Sequence, residues 1–285
     1  MNYKSQRTKI VATIGPKTAK KVYLEKMYLA GMSIARLNGS HNTLEWHKNT
    51  IKKIKKYTPY CPILLDIPGK KIRTIKLKNE PSFDVNETII ITTEKGWNGF
   101  KKVSITNNKL HLYLKKGDTV FADDGTLKFQ VIKVIKKDIY LKANTKGVLK
   151  SSKGINVPHV NLKGSLITNR DKEMIKFAVE NKVDFIGLSF IESGEHLIKI
   201  KNIIKKQTPK VIAKVENQAG INNLEDIVKN ADCIMIDRGD LSTETNIETL
   251  AINQKKIIST CIKFSKPIIV ATEMLDNMIL SPYPT

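Results

Sequence analysis

Cysteine is scarce in this chain. The 285 residues include three, Cys61, Cys233 and Cys261, far apart and set in or beside apolar runs. Such spacing excludes a disulfide framework and a cysteine-based metal centre, and the three thiols are expected to be reduced core residues. Aromatic residues contribute 6% of the chain, too few to interleave with basic residues as base-stacking platforms. No apolar run approaches the roughly 20 residues of a membrane span, and the first 15 residues lack the uncharged apolar segment of a secretory signal. A cytoplasmic location without membrane contact is the expectation. Acidic residues are also in the minority, 27 against 49 Lys plus Arg, giving a formal charge of +22. A field of that sign concentrates anions. The lysines are spread through all segments, as in residues 52–56 and 201–206, with no single basic arm. Small anionic substrates are therefore expected in preference to nucleic acid.

What the chain does have is strand-helix alternation, interrupted once. Strand-like runs at residues 9–14, 32–37 and 63–66 alternate with amphipathic segments near 22–29 and 43–56. From about residue 74 the character changes to short β-type runs at 87–93, 118–122, 127–136 and 139–141, separated by Gly and Asn turns. Asp123-Asp124-Gly125 marks one tight turn. From Thr168 the alternation resumes, Thr168-Asn169-Arg170-Asp171 reading as a helix start and residues 185–189, 211–213, 233–236 and 267–271 as strands.

Residues 211–244 are the centre of the pattern. One strand runs into Lys214 and Glu216, the next into Asp237, Arg238 and Asp240, with an amphipathic helical segment between them. Parallel strands joined by a helix bring their carboxyl ends to one side, so an ammonium, a guanidinium and two or three carboxylates are expected to converge. That composition suits a divalent metal together with a phosphorylated or oxo-acid ligand. Seven strands, each ending in a polar residue, imply an α/β fold: a (β/α) TIM-type barrel lacking the eighth strand, with an inserted small all-β cap. The divisions are residues 1–73 and 159–285 for the two parts of the barrel and 74–158 for the insertion. Gly15-Pro16 is not the glycine-rich phosphate turn that an open doubly wound sheet would carry.

With these strand ends in view, the chain resembles the pyruvate kinase family over essentially its whole length. The resemblance rests on residues 8–16 (TKIVATIGP), 35–41 (ARLNGSH), Leu65-Asp66 through 71–74 (KIRT), Asp123-Asp124-Gly125, 153–156 (KGIN), 189–191 (SFI), 214–217 (KVEN), 237–241 (DRGDL) and 271–275 (ATEML). It implies that Glu216 and Asp240 hold Mg²⁺ or Mn²⁺, and that Lys214 neutralises charge on the transferring phosphoryl group and the enolate oxygen. Arg36 and Arg73 would grip phosphate oxygens, and Thr272 would sit at the face of the enolate that is protonated. The Gly239 and Asp240 backbone would bind the substrate carboxylate. Pro16, Asn38, His41, Trp46 and Lys153 fall in the nucleotide region. Members that need K⁺ ligate it with groups like Asn38, Ser40 and Asp66; Lys71 and Ile67 here resemble the K⁺-independent branch, in which the lysine ammonium replaces the ion. The implied reaction is phosphoryl transfer between phosphoenolpyruvate and ADP, giving pyruvate and ATP.

The departures are as specific as the matches. Asp237 stands where the family usually has alanine, adding a negative charge at the mouth of the metal site, and Ser242 replaces a usual glycine. The chain stops short of the eighth strand and the carboxyl-terminal allosteric domain, so a homo-oligomer or a partner chain covering the open seam is expected. Two other readings stay open on these residues: Mg²⁺-dependent enolate chemistry of an aldolase or decarboxylase type, and a non-catalytic subunit that depends on another polypeptide.

Overall fold

The computed structural model describes residues 7–158, 160, 167–205, 208–274 and 276–282. Several expectations fall outside those residues: the first six residues, Lys206 in the second lysine run, His159 at the start of the third division, Leu275 of the last family-like segment, and residues 283–285. Among the described residues no helix is long and apolar enough to cross a membrane.

Seven parallel strands form one sheet: β1 (Ile10–Thr13), β2 (Met32–Asn38), β3 (Ile63–Ile67), β4 (Phe185–Leu188), β5 (Lys210–Val215), β6 (Cys233–Asp237) and β7 (Ile268–Ala271). Their order in the sheet is their order in the chain, the arrangement that successive strand-helix-strand crossovers of one hand produce. Helices α1 (Lys21–Leu29), α2 (Leu44–Tyr57), α3 (Asn169–Glu180), α4 (Gly194–Ile204), α5 (Gln218–Asn222), α6 (Leu224–Asn230), α7 (Arg238–Glu244) and α8 (Leu250–Lys263) make the connections. Their starts follow from capping chemistry. Thr43 accepts from the Trp46 N–H to open α2, and Thr168 and Asp171 form a reciprocal capping box at α3.

The sheet is strongly curled. Val11, Ile34, Leu64, Phe185, Ile212, Cys233, Met235, Ile269 and Ala271 form one cluster with a member from every strand. A flat sheet of seven strands at about 4.8 Å spacing is about 29 Å wide, far too wide for a single cluster of side chains. The alternate residues, such as Leu65, Ile186, Ala213, Ile234 and Ile236, face outward and pack with the helices in the main core. The end strands β1 and β7 are the most exposed of the seven.

A second sheet occupies the β-rich part of the chain. Its strands, in spatial order, are Ile72–Arg73, Gly154–Asn156, Thr119–Ala122, Leu127–Ile135, Asp138–Ala143, Thr88–Thr92 and Val103–Ser104, antiparallel except for the last pair. Leu127, Phe129 and Val131 point into its own core, while Lys128 and Gln130 between them are exposed. The chain enters this sheet through Ile72–Arg73 and leaves through Gly154–Asn156, which lie side by side.

Three local expectations are corrected. The helical segment between β5 and β6 is two short helices, because Asn223 interrupts it and its side chain donates to the Glu192 carbonyl (2.8 Å). Asp240 lies in the first turn of α7, not at a strand end. Strands of two or three residues, such as Val103–Ser104, have too little alternation to be read from sequence.

Candidate active site

Side chains alternate along a strand, so every second residue shares a face. In each of the first six strands, the face that begins with an apolar interior residue ends with a polar one. Val11 leads to Thr13, Ile34 to Arg36 and Asn38, Leu64 to Asp66, Phe185 through Gly187 to Ser189, Ile212 to Lys214 and Glu216, and Met235 to Asp237. The interior is apolar at the amino ends and charged at the carboxyl ends. There it opens into a cavity of about 290 Å³, lined among others by Arg36, Asp66, Lys71, Arg73, Lys214 and Asp240.

Lys214 is the hub. It is 4% exposed, and its Nζ lies 2.8 Å from Glu216 Oε1, 3.2 Å from Asp237 Oδ2 and 3.5 Å from Asp66 Oδ2, and donates to Ser189 Oγ at 3.0 Å. Burial alone would lower its pKa, but Asp66, Glu216 and Asp237 outweigh burial and hold it well above the ordinary lysine value. Glu216 is fully buried; its Oε2 accepts the Phe190 N–H at 2.7 Å. Phe190 adopts φ +57° to present that N–H, a conformation that costs a non-glycine residue free energy. Burial pushes the Glu216 pKa up to about 8; Lys214 opposes the rise, and Asp240 and Asp237 add to it.

Arg36 donates twice to Asp66 Oδ2, from Nε at 3.0 Å and from a terminal nitrogen at 2.6 Å, and bonds Thr13 Oγ1 at 2.8 Å. Asp66 Oδ1 is buried without a hydrogen-bond partner. The expected guanidinium is thus Arg36 from β2. Arg238 is not among the residues lining the cavity, because α7 begins at that residue and turns its side chain out of the strand's alternation.

Thr272, directly after β7, has φ +63°, and Glu273 has φ +49°. A β-branched residue in that region is strained. The conformation lets Thr272 Oγ1 donate to Asp237 Oδ1 at 2.9 Å while accepting the Gly239 N–H at 3.0 Å. The Gly239 amide expected to bind a carboxylate is therefore already engaged.

The second sheet supplies the other wall. Lys71 Nζ sits 2.6 and 2.8 Å from the two Asp240 oxygens and 3.5 Å from Asp124 Oδ1. Burial depresses its pKa, but Asp240 more than compensates and the net shift is upward. Gly154 makes this reach possible, since a Cβ there would lie 2.7 Å from Lys71 Cε. Arg73 donates to the Ser152 carbonyl (2.9 Å) and to Ser40 Oγ (3.3 Å), and Lys153 pairs with Asp123 at 2.6 Å. Asn156 donates to Glu244 Oε1 (2.7 Å), and burial raises the Glu244 pKa to about 7 against that hydrogen bond.

Of the nucleotide-region residues, Asn38, His41 and Lys153 line the cavity and Pro16 and Trp46 do not. Asn38 Oδ1 accepts the Ser40 N–H at 3.0 Å. Burial, followed by Arg73, Arg36 and Lys153, lowers the His41 pKa. Trp46 packs against the main core, edge-on to His47. Ile67 is fully buried in that core, on the outward face of β3, while Ser40 and Asp66 face the cavity. Ser189, Asn156 and Glu244 were not expected as site residues. Ser189 could have been found, because it continues the interior alternation of β4.

The family model for the pyruvate kinase barrel domain matches residues 5–285. The chain belongs to the pyruvate kinase family. It is similar to pyruvate kinases of Thermococcus litoralis (38% identical over 291 residues, 100% of this chain), Clostridium perfringens (37% over 296 residues, 98%) and Buchnera aphidicola subsp. Schizaphis graminum (39% over 293 residues, 98%). The chain spans 61% of the length of each of these relatives. The pyruvate kinase barrel match accords with the curled parallel sheet. The three cysteines are free and buried.

Proposed function

We propose that this chain carries the catalytic barrel of an enzyme transferring a phosphoryl group between phosphoenolpyruvate and ADP, giving pyruvate and ATP. The observation that carries the reading is the buried Lys214, held beside Glu216 and within one cavity with Asp240, at the carboxyl ends of neighbouring strands. In this reading the parallel sheet is a (β/α) barrel without an eighth strand among these residues, and residues 74–158 are an inserted cap. The half-exposed edges β1 and β7 fit a seam that further sheet would cover.

The donor set suits a hard divalent cation. Glu216, Asp237 and Asp240 present oxygens all within 4.8 Å of one another, and a fully buried carboxylate such as Glu216 calls for positive charge. Glu216 and Asp240 would hold Mg²⁺ or Mn²⁺, which when bound supplies charge neutralisation for the substrate's carboxylate and phosphate. The residues of the chain do the rest. Lys214 presents an ammonium at the inner end of the cavity, where charge develops on the enolate oxygen and the transferring phosphoryl group. Arg36 and Arg73 offer planar donors to phosphate oxygens. Thr272 faces the carbon to be protonated, and Lys153, His41 and Asn38 border the path toward the nucleotide. Lys71, fixed between Asp240 and Asp124, supplies a permanent cation in place of K⁺. The test is pyruvate formation from phosphoenolpyruvate, ADP and Mg²⁺, with Lys214→Met and Asp240→Ala as controls. Turnover lost in both variants supports the reading. No turnover by a folded, Mg²⁺-binding wild type overturns it in favour of enolate chemistry or a partner-dependent subunit.

A further inference from the structure

A second cavity, of about 340 Å³, lies where the two sheets join. Among the described residues, Lys71 alone lines both this cavity and the one at the strand ends. One side of it is apolar. Ile72, Ile155 and Val157, each at most 5% exposed, come from the paired strands by which the chain enters and leaves the second sheet and from the residues just beyond, and Phe190 of the barrel faces the same space. The other side is polar, because Asn217, Gln218 and Asn222 bring three carboxamides to it from the cap and body of α5. The charged groups on the wall already have partners. Lys71 is held by Asp240 at 2.6 Å, Lys70 Nζ lies 3.8 Å from Glu192 Oε2, and Glu244 Oε1 accepts from Asn156 at 2.7 Å.

A mostly apolar lining with a few convergent polar groups is the composition of a small-molecule pocket. An ion entering here would have to displace one member of an existing pair, whereas carboxamides both donate and accept and so suit a neutral head group. We propose that this cavity is a binding site, separate from the one at the strand ends, for an uncharged small molecule with an apolar body and one amide- or alcohol-like head. At about 30 Å³ each, the volume a water molecule takes in the liquid, the cavity has room for roughly eleven non-hydrogen atoms. The body lies against Ile72, Ile155, Val157 and Phe190, and the head meets the carboxamides of Gln218 and Asn222. Such a ligand touches both connecting strands and the barrel at once, and so braces the join between the sheets. The inference does not rest on the phosphoryl-transfer reading, since the chemistry it selects is the opposite of the charged lining around Lys214.

NMR titration tests this with benzamide as the probe, beside benzoate and benzylammonium, which keep its ring but carry a charge. Benzamide is expected to bind the wild type with about millimolar strength, as suits so small a ligand, and at least tenfold more tightly than either ion. It should slow hydrogen exchange at residues 154–156 and 217–222. Ala219→Leu extends a larger side chain into the cavity from a half-buried position on α5, and should weaken benzamide at least tenfold. Asn222→Leu, at an exposed position, removes one contact to the head and should weaken it about fivefold. Wild-type affinity in both variants overturns the proposal. Benzoate or benzylammonium bound as tightly as benzamide overturns it too, and so does displacement of benzamide by oxalate with Mg²⁺, which would put the probe in the strand-end cavity. The kinase reading fails separately: no turnover with phosphoenolpyruvate and ADP, while benzamide binds and is lost in Ala219→Leu, rejects that reading and supports this one. An active enzyme that does not bind benzamide does the reverse.

Discussion

The two sheets reach one cavity in different ways. In the parallel sheet Arg36, Asp66, Lys214, Glu216 and Asp237 continue the same strand faces that carry the interior cluster, so their positions are set by the barrel's packing. In the antiparallel sheet the groups that arrive come from its entry, its exit and one turn: Lys71, Arg73, Lys153 and Asp124. That sheet has its own apolar core, which shares none of the barrel's residues. The difference places the groups proposed to hold metal and enolate on the packing of the parallel sheet, and the groups proposed to meet phosphate on a frame with a core of its own. Substitutions in each region test the division.

The largest effect is expected at the barrel's hub. Lys214→Met leaves Glu216, Asp237 and Asp66 buried without their shared cation, and breaking a buried pair in this way costs about 3–5 kcal/mol. Turnover should fall by roughly 10²–10³-fold, since a preorganised charge at the developing oxyanion is lost. Thermal denaturation and the pyruvate assay read the two effects. A stable, active Lys214→Met protein would refute the hub.

Next comes the core of the second sheet. Phe129 is 1% exposed and lies 5.3 Å from the Phe83 ring, centroid to centroid. Phe129→Ala should cost about 3–5 kcal/mol and loosen the frame that carries Lys71, Arg73 and Lys153. If the sheets are energetically separable, hydrogen exchange rises in residues 72–156 alone, and Mn²⁺ binding changes by less than about threefold because Glu216 and Asp240 are barrel residues. Exchange rising equally in both sheets would erase the distinction.

The same contrast explains what could be read in advance. Strand ends of the barrel were legible because a single rule, alternation, puts the interior apolar residue and the charged residue on one face. Lys214 and Glu216 follow it and were read directly as strand-end charges; Arg36 and Asp66 follow it too, but their roles were expected only from the family resemblance. Lys71 on Asp240 was not legible, since 169 positions separate them and only the folded second sheet, with Gly154 giving room, brings them together. Asp240 itself was read as a strand end, and Arg238 as the convergent guanidinium, because the α7 start at Arg238 has no capping side chain to announce it. The short strands of the second sheet carry too few residues for periodicity to show.

A smaller effect is expected at Lys71, where the two sheets meet. With Lys71 in place, exchanging K⁺ for tetramethylammonium should alter turnover by less than about twofold, because a fixed ammonium already faces Asp240. Lys71→Ala should lower turnover by about tenfold and restore a response to K⁺. A many-fold stimulation of the wild type by K⁺ would show that Lys71 does not substitute for the ion.

The smallest effect tests whether the His47 contact to the loop of Asn38 to His41 is independent of the second sheet. His47 is 1% exposed on α2, and its Nε2 lies 2.9 Å from the His41 carbonyl, to which it donates in the neutral ring. Burial lowers its pKa below the ordinary 6.5, and the bond to His41 only partly offsets this. A folded-state pKa below the unfolded one means that the neutral ring's contribution to stability is complete above pH 6.5 and is lost as pH falls through the folded value. His47→Gln, which cannot titrate, should therefore lie below the wild type in thermal midpoint at pH 7.5, and the gap should narrow by pH 5. The second sheet takes no part in this contact, so the narrowing should survive Phe129→Ala. A gap that is constant with pH would mean that His47 stabilises the loop by packing alone.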